Sequence, residues 1–322
     1  MKNKWLNAMM GVVVGDALGL PVQFTDKQEI KWNPVKTMIG YGAFYKPPGT
    51  WSDDGSLSFA TLDSIREKGK VDYDDIMDRF YDWLENGKYT PTGASFDQGE
   101  TCVEAIQLYH HLRNYKTCGR TAERIANGNG GLMRIMPVCL YAYEKIHSKE
   151  WTEDEALECI HQVSALTHNH LRAKIACGIY FFMVKNIIEG TGTLTERLQC
   201  GVDDAMDFYY KDLFNLTELY HYDDLLCLDE LAEAKADDVG SRGYVVASLI
   251  TAIWGLITTD NIEECLLKIV NLGEDSDTNA AIAGGLAGLF YGYESVPEEW
   301  RKQIANEDYL LSLCKDMDSR QE

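Results

Sequence analysis

The sequence predicts an all-α fold, and three observations support this prediction. Amphipathic periodicity of the helical kind recurs along most of the 322 residues. Alternating strand patterns bounded by hairpin dipeptides are hard to find. Segments 9–20, 244–257 and 280–291 are almost free of polar residues, as are helices in the middle of a large helical protein. Since no change in composition marks a linker and no repeat is visible, we expect a single domain over residues 1–322.

The first apolar segment lies at the N-terminus. The stretch MKNKWLNAMMGVVVGDALGL begins with positive residues and continues with apolar ones, as a signal peptide does. However, Asp16 interrupts the apolar run, Gly11 and Gly15 punctuate it, and no A-x-A-like cleavage site follows. We therefore interpret this stretch as a buried internal helix. No uninterrupted apolar run in the chain approaches the length of a membrane span.

Apolar spacing and capping residues predict further helices. Between positions 72 and 84 an apolar residue recurs every four positions and aspartates fill the rest of the wheel, which predicts an amphipathic helix. Thr152 with Glu155 makes a capping box before an apolar-periodic run. Asp260 with Glu263 repeats the pattern and predicts another helix start.

Four stretches lack helical periodicity: 33–54, 86–99, 127–131 and 222–241. The first is long, and a loop of that length in a compact protein usually has a function. The fourth is acidic, and we expect it to be a mobile surface segment.

The charge balance argues against two classes of partner. The chain carries 30 Lys and Arg against 51 Asp and Glu, a net charge of -21. Such a surface repels nucleic acid and anionic membranes, so we expect neither as a partner.

The nine cysteines are odd in number and never spaced C-x-x-C. This is typical of reduced thiols in a cytoplasmic protein, and not of a disulfide framework or a zinc site.

Two acidic clusters, each at the start of an apolar helix, are the strongest chemical signal in the chain. One carboxylate is enough to cap a helix. The clusters are therefore either helix caps with more acidic groups than capping requires, or two halves of a metal site. Oxygen ligands select Mg²⁺, Mn²⁺ or Ca²⁺ over zinc. The residues are Ser52, Asp53 and Asp54 in one cluster and Asp275, Asp277 and Thr278 in the other.

Seven motifs are spread over nearly the whole chain. In order they are GVVVGDALGLPVQF at 11–24, WSDDGS at 51–56, YTPTGASFDQGETC at 89–102, NGNGGLMRIMPV at 127–138, THNH at 167–170, SRGYVVASL at 241–249 and GEDSDTNAAIAGGLAGLFYG at 273–292. Together and in this order they resemble the ADP-ribosylglycohydrolases, the family of the dinitrogenase reductase-activating glycohydrolases and the ADP-ribosylhydrolases. A single motif would not be specific.

The resemblance implies an orthogonal helical bundle with a central cleft that holds two divalent cations, Mg²⁺ or Mn²⁺. The implied metal ligands are the six residues of the two acidic clusters. Asp97, in the FDQG motif, is the implied general base or nucleophile, and a cap for the following helix is the alternative. Carboxylates near C1 of ribose favour the oxocarbenium-like state through which a glycosidic bond breaks.

The resemblance also implies a surface that binds ADP-ribose. The glycines of the 127–131 turn let backbone amides approach a diphosphate, although a plain turn before a helix gives the same pattern. Tyr244 is the implied stacking partner of adenine, and His168 is an implied ligand contact. The implied ligand-binding residues of the turn and its continuation are Asn129, Gly130, Gly131 and Leu132.

Gln23 is the most consequential departure from the family pattern. Family members tend to carry glutamate in the corresponding GDALGxPxEF motif, near the metal site. An amide cannot act as a base or offer a full negative charge, so we expect Gln23 to contact the ligand with an altered rate or substrate. Ser52 stands where threonine is usual and keeps the hydroxyl. Gly55 also replaces a threonine, and Leu171 a proline.

The expected function is that of a cytoplasmic, metal-dependent hydrolase. It would cleave the glycosidic bond between ADP-ribose and a modified protein side chain, with arginine favoured, or a small ADP-ribosyl compound. Two alternatives stay open. One is a catalytically weak or silent ADP-ribose-binding protein, suggested by Gln23. The other is a metal-dependent phosphohydrolase that cleaves the diphosphate.

Overall fold

The computed structural model describes residues 2–319, and within them the chain forms 18 α-helices and no β-strand. The all-α prediction is therefore confirmed. The helices are α1 (Lys4–Gly19), α2 (Lys27–Trp32), α3 (Asp53–Lys68), α4 (Tyr73–Asn86), α5 (Glu100–Leu112), α6 (Tyr115–Cys118), α7 (Glu123–Ala126), α8 (Met136–His147), α9 (Glu153–Ala165), α10 (Leu171–Glu189), α11 (Leu194–Tyr209), α12 (Leu216–Leu219), α13 (Leu228–Ala232), α14 (Val245–Ile257), α15 (Ile262–Val270), α16 (Ser276–Tyr291), α17 (Glu298–Arg301) and α18 (Glu307–Ser319). Short 3₁₀ helices occupy Leu20–Val22, Asn129–Gly131, Leu213–Asn215, Tyr220–Leu225 and Tyr293–Ser295.

The contact between α1 and α16 forms the centre of the fold. Both helices are buried along nearly their whole length and approach closely through small residues. A Cβ added at Gly15 would lie 2.1 Å from the carbonyl oxygen of Ala280. Glycine has no Cβ and so avoids this clash. At the helix ends, Ser276 Oγ donates to the carbonyl of Gly19 at 2.9 Å. The start of α16 therefore lies beside the last turns of α1, which contain Asp16.

The remaining large helices pack around this pair. Helices α14 and α15 lie against α16, and α10 contacts α8, α9, α11 and α16. Helix α3 packs against α1, α4 and α8. The N-terminus of α3 is thereby brought to the place where α1 meets α16.

Most sequence-based helix starts are confirmed. Helix α4 follows its Asp72 cap, and Thr152 and Glu155 form both hydrogen bonds of the capping box of α9. The start predicted for α15 is one residue too early. Its cap is Asn261, whose side chain accepts from the Glu264 amide at 2.9 Å.

The segment at 222–241, predicted to be an irregular and mobile surface segment, is partly helical and partly buried, and its mobility stays a prediction. The segment continues a 3₁₀ helix, forms α13 and buries apolar side chains that include Tyr222 and Leu228. These helical pieces are too short to leave a periodic signal, yet each one packs an apolar residue inward.

The N-terminal segment is a core helix in the fold. By length and composition alone, Lys4–Val22 is long and apolar enough to cross a membrane. However, 78% of its apolar window is buried inside the protein, mainly against α16.

Seven of the nine cysteines are buried, and Cys200 and Cys227 are exposed.

Candidate active site

The two acidic clusters meet where α1, α3 and α16 converge. Ser52 Oγ lies 3.1 Å from Asp54 Oδ2, and Thr278 Oγ1 lies 3.4 Å from the same oxygen. Asp54 and Asp277 are completely buried. Asp275 is half-buried, and the other residues of the two clusters are buried. The structure thus brings together residues that lie far apart in the chain.

Asp16 joins this group and is a residue that the sequence analysis did not propose. One carboxylate oxygen each of Asp16, Asp54 and Asp277 lie within 4.8 Å of one another. Asp16 also accepts hydrogen bonds from the backbone amides of Ser52 and Gly55, both at 2.8 Å. These bonds fasten the start of α3 to α1. The signal in the sequence is a single acid inside an apolar helix with closely spaced glycines.

Burial makes negative charge in this cluster costly. It raises the pKa of Asp16 to about 7, and it raises the pKa values of Asp53, Asp54 and Asp277, with repulsion between neighbouring carboxylates adding to the effect. Within residues 2–319, none of these carboxylates pairs with a lysine or arginine. Asp54 Oδ1 and Asp277 Oδ2 are buried without any hydrogen-bond partner. Close, unpartnered and hard oxygen atoms of this kind fit a divalent cation.

The residues at the N-cap positions of α3 and α16 do not cap their helices. Ser52 and Asp275 occupy these positions, but neither side chain accepts from a first-turn amide. Asp275 instead accepts from Asn129 Nδ2 at 2.6 Å. The interpretation of the clusters as helix caps therefore fails at both positions.

Asp97 faces the same region from the loop before α5. Its φ of +53° is in the left-handed region, which is rare for residues other than glycine. The loop is held in place partly by Ser95 Oγ, which donates to the carbonyl of Leu84 at 2.7 Å. Asp97 Oδ2 is buried without a partner, and burial raises the pKa of this carboxyl to about 6. Because the N-cap of α5 is Gly99, the alternative of Asp97 as a helix cap is excluded.

Gln23 lies beside two of these acids. Burial raises the pKa values of Asp97 and Asp275, and hydrogen bonding to Gln23 partly offsets the rise in both. A glutamate at this position would add repulsion there unless a cation compensated it. Gln23 itself is buried, and its Oε1 has no hydrogen-bond partner.

A cleft of about 330 Å³ opens above the acidic cluster. Ser52, Asp54 and Asp277 lie behind its wall and do not reach its surface. The predicted site residues that line it are Gln23, Asp53, Asp97, Asn129, Gly130, His168, Asp275 and Thr278.

The glycine-rich turn at 127–131 forms one wall of this cleft. The backbone amide of Asn129 donates to the carbonyl of Gly243 at 3.1 Å, which fixes the turn against the start of α14. A Cβ at Gly130 would lie 2.8 Å from His168 Cε1, so the turn and the histidine interlock. Burial lowers the pKa of His168 to about 3, and its Nδ1 pairs with Thr167 Oγ1 at 2.8 Å. The imidazole is therefore neutral where it lines the cleft.

Arg134 supports the turn from inside the protein, a role that the sequence analysis did not propose. The side chain is completely buried and donates to the carbonyl of Gly130 at 3.2 Å and to Thr167 Oγ1 at 2.8 Å. Burial lowers its pKa, yet a guanidinium stays charged in proteins. Arg134 thus puts a positive charge behind a turn whose amides suit an anion. The signal in the sequence is an arginine within the apolar run LMRIMPV.

A second cleft, of about 720 Å³, continues from the first because Thr101 and Gly128 line both. Tyr244 lines this second cleft and is 36% exposed. Its hydroxyl accepts from Arg172 Nη1 at 3.3 Å. Tyr244 is the N-cap residue of α14 and is not buried within the helix, so its ring is accessible to a ligand.

Two predicted ligand-binding residues do not line either cleft. Leu132 packs in the hydrophobic core, and its amide already donates to the Asn129 carbonyl at 2.8 Å. Gly131 is buried against Ser164, whose Oγ would lie 2.9 Å from an added Cβ. The packing of the turn turns both residues away from the ligand side.

Comparison with known proteins identifies the family. The family model described as ADP-ribosylglycohydrolase matches residues 1–322. The chain belongs to the ADP-ribosylglycohydrolase family. It is 31% identical over 304 residues to the ADP-ribosyl-[dinitrogen reductase] glycohydrolase of Rhodospirillum rubrum, covering 93% of this chain and 89% of that protein. It is 25% identical over 315 residues to the ADP-ribosylarginine hydrolase Tri1 of Serratia proteamaculans, covering 98% and 79%.

The fold agrees with this membership. A solved structure described as an ADP-ribosylglycohydrolase-related protein complex superposes with a TM-score of 0.76 at 26% identity, and the match covers 99% of this chain and 98% of the other. The protein is therefore an enzyme that hydrolyses glycosyl bonds.

The structure shows the surroundings of Gly55, where the family resemblance predicts a threonine. Gly55 donates its amide to Asp16 directly beside the acidic cluster. A Cβ at Gly55 would lie 3.0 Å from the indole of Trp51 and 3.2 Å from Asp16 Oδ2. A threonine here would require these neighbours to shift by a few tenths of an ångström. Glycine at this position avoids that shift.

Proposed function

We propose that this ADP-ribosylglycohydrolase is a cytoplasmic, divalent-metal-dependent enzyme that cleaves the bond between ADP-ribose and an arginine side chain. The observation that carries the proposal is a group of buried carboxylates, without lysine or arginine partners in residues 2–319, behind a cleft that also exposes Asp97. Two relatives are named as hydrolases of ADP-ribosylarginine or of an ADP-ribosylated protein, and these names support the choice of substrate.

The acidic cluster would hold Mg²⁺ or Mn²⁺. We assign Asp16, Asp54 and Asp277, which lie within 4.8 Å of one another, as the inner set of oxygen donors. The predicted ligands Ser52, Asp53, Asp275 and Thr278 surround this set. When bound, the cations supply fixed positive charge that orients ribose hydroxyls and compensates the carboxylates.

The remaining residues act on the substrate itself. Asp97, unpartnered at one oxygen, accepts the proton of the attacking water as a general base or attacks C1 directly. Gln23 lines the same cleft as Asp97, and its side chain lowers the pKa of the Asp97 carboxyl, which opposes the effect of burial. The turn at Asn129 and Gly130, with the charge of Arg134 behind it, suits the diphosphate. Tyr244 provides an aromatic face for adenine at the far end of the connected clefts.

Product analysis tests the proposal against its two alternatives. The metal-loaded protein is incubated with arginine-linked, serine-linked and small-molecule ADP-ribose, and the products are identified by mass. We expect intact ADP-ribose, released fastest from the arginine-linked substrate. Release of AMP would identify a diphosphate-cleaving enzyme. Tight ADP-ribose binding without turnover of any substrate would identify a silent binding protein.

Two variants test the metal requirement. Asp54→Asn and Asp277→Asn should each lower kcat/KM by about 100-fold or more and weaken ADP-ribose binding, because each removes a buried anionic oxygen from the cluster. Asp308→Asn, at an exposed carboxyl in the first turn of α18, is the matched control. Full activity after chelation and dialysis would contradict metal dependence.

A further inference from the structure

Three phenylalanines form an aromatic cluster beside the cleft above the acidic cluster, and one of them, Phe24, lines that cleft. The rings of Phe24 and Phe44 have centroids 6.1 Å apart, and those of Phe44 and Phe96 are 5.6 Å apart. Phe24 is 69% exposed and lines the cleft, whereas Phe44 and Phe96 are half-buried. Contiguous apolar surface beside a cleft is a feature of ligand-binding sites. The proposed chemistry assigns it no role.

The backbone holds these rings in place from separate loops. The Phe24 amide donates to the Glu274 carbonyl at 2.6 Å, and the Glu274 amide donates to the Thr25 carbonyl at 2.9 Å. The loop that carries Phe44 is tied to the same region, because the Ala43 amide donates to the Pro21 carbonyl at 3.0 Å. Phe24 is thereby fixed beside the acidic stretch that begins α16, and its exposure is not a consequence of a loose chain.

The position of the cluster defines which end of the substrate it meets. Phe24 follows Gln23 directly and lines the same cleft as the proposed base Asp97, and Phe96 directly precedes Asp97 in the chain. Tyr244 lies beyond the glycine-rich turn, in the second of the two connected clefts. If adenine lies at Tyr244 and the diphosphate at the turn, C1 of the distal ribose and its substituent lie toward Phe24.

The chemistry of the cluster suits a cation. The face of an aromatic ring attracts ammonium and guanidinium groups, and the planar guanidinium also stacks on it. Phe96 already contacts a cation, since Lys46 Nζ lies 4.6 Å from its ring centroid. Phe24 has no such partner within residues 2–319 and presents its ring to solvent at the cleft. The net charge of -21 adds a long-range attraction for a basic group.

We propose that Phe24, backed by Phe44 and Phe96, binds the guanidinium of the ADP-ribosylated arginine and so selects arginine-linked over neutral, hydroxyl-linked substrates. This inference rests on the proposed function and names the residue that recognises the side chain. It makes Phe24 a specificity-determining residue that takes no part in the proton transfer.

Three variants test the proposal. Phe24→Leu keeps an apolar side chain but removes the aromatic face, Phe24→Trp keeps the face, and Phe214→Leu changes a phenylalanine that is 83% exposed in a different region. For each variant, kcat/KM is measured with arginine-linked and with serine-linked ADP-ribose. In Phe24→Leu we expect the arginine-to-serine ratio of kcat/KM to fall about fivefold, mainly through KM. The ratio should be retained or raised in Phe24→Trp and unchanged in Phe214→Leu.

An equal loss of kcat/KM for both substrates in Phe24→Leu would identify Phe24 as a general apolar wall and would overturn the proposal. No change of kcat/KM for either substrate would also overturn it. Failure of the proposed function can be distinguished from failure of the proposed role of Phe24. If the wild-type protein cleaves no substrate, direct binding of ADP-ribosylarginine to wild type and Phe24→Leu still tests the aromatic contact. We expect about fivefold weaker binding in the variant, and equal affinities would contradict it.

Discussion

Asp97 has the properties of a reactive carboxyl. Its left-handed backbone conformation is one that an aspartate adopts at some energetic cost, and such strained residues cluster at functional sites. One of its oxygens is buried without a partner, and burial raises its pKa to about 6. A carboxyl with a pKa near the operating pH is well suited to exchange protons with a substrate.

Replacing Asp97 by asparagine separates catalysis from binding. Asp97→Asn keeps the shape of the side chain but removes its basicity, so kcat should fall by about 100-fold or more while the affinity for ADP-ribose stays within a few-fold. Because the base must be ionised, wild-type kcat should rise with pH and reach a plateau. The midpoint is expected at or below about pH 6, since bound cations lower the pKa of a nearby acid. A pH profile of kcat and calorimetry with ADP-ribose measure both effects. Unchanged turnover in the variant would remove Asp97 from the mechanism.

At the scale of single residues, the sequence reveals functional groups when they are clustered. Asp53 with Asp54, and Asp275 with Asp277, stand out because repeated acids at a helix start exceed what a cap requires. Asp16 is alone in its helix, and only the contacts of α1 with α3 and α16 bring it to the other acids. The placement of Leu132 in the core likewise depends on how the turn packs, which no local pattern records.

At the scale of elements, the site depends on how closely α1 approaches α16. Small residues face each other along the contact, and an added Cβ at Gly11 would lie 2.0 Å from the carbonyl oxygen of Gly284. Asp16 on one helix and Asp277 on the other reach a common point only because the backbones nearly touch. The glycines of this pair therefore serve the acidic cluster as well as the core.

Substitution at the contact should damage both stability and metal binding. Gly15→Ala places a methyl group 2.1 Å from the carbonyl oxygen of Ala280, so the helices must move apart. We expect a loss of about 2 kcal/mol or more in unfolding free energy, together with weaker Mn²⁺ binding by calorimetry. Gly240→Ala is the control, since its Cβ would have its nearest neighbour at 3.4 Å. Equal unfolding midpoints in the two variants would show that the close contact is not needed.

Element positions follow from the sequence wherever helices are long and periodic. The helices at 73–86 and 153–165 carry both their apolar spacing and their caps in the sequence. The one-residue error at α15 arises because Asp260 and Asn261 are both good capping residues, and packing selects the second. The short helices within 222–241 are not predicted, because the charges of this segment are visible in the sequence while the buried side of its helices is not.

At the scale of the whole molecule, the acidic cluster couples stability to both pH and metal. In the unfolded chain an aspartate loses its proton near pH 4, whereas burial raises the pKa of Asp16 in the folded, metal-free protein to about 7. Between these values the folded state binds more protons, so the free energy of unfolding falls as pH rises. Asp53, Asp54 and Asp277 act in the same direction, because burial raises their pKa values too.

Bound cations should stabilise the folded protein, and this stabilisation should be strongest at high pH, where the buried carboxyls are ionised. Mg²⁺ or Mn²⁺ binds the ionised carboxylates, so the increase in Tm on adding metal should be larger at pH 8 than at pH 5.5. With free cation about 100-fold above its Kd, we expect an increase of roughly 5 °C at pH 8. Thermal unfolding of the chelated and the metal-loaded protein at both pH values measures this difference. A variant with both Asp54→Asn and Asp277→Asn should lose most of the metal effect and unfold at a temperature that depends less on pH, because two of the buried acids no longer titrate. An equal increase at the two pH values would mean that the cation binds elsewhere, at carboxylates already ionised in acid.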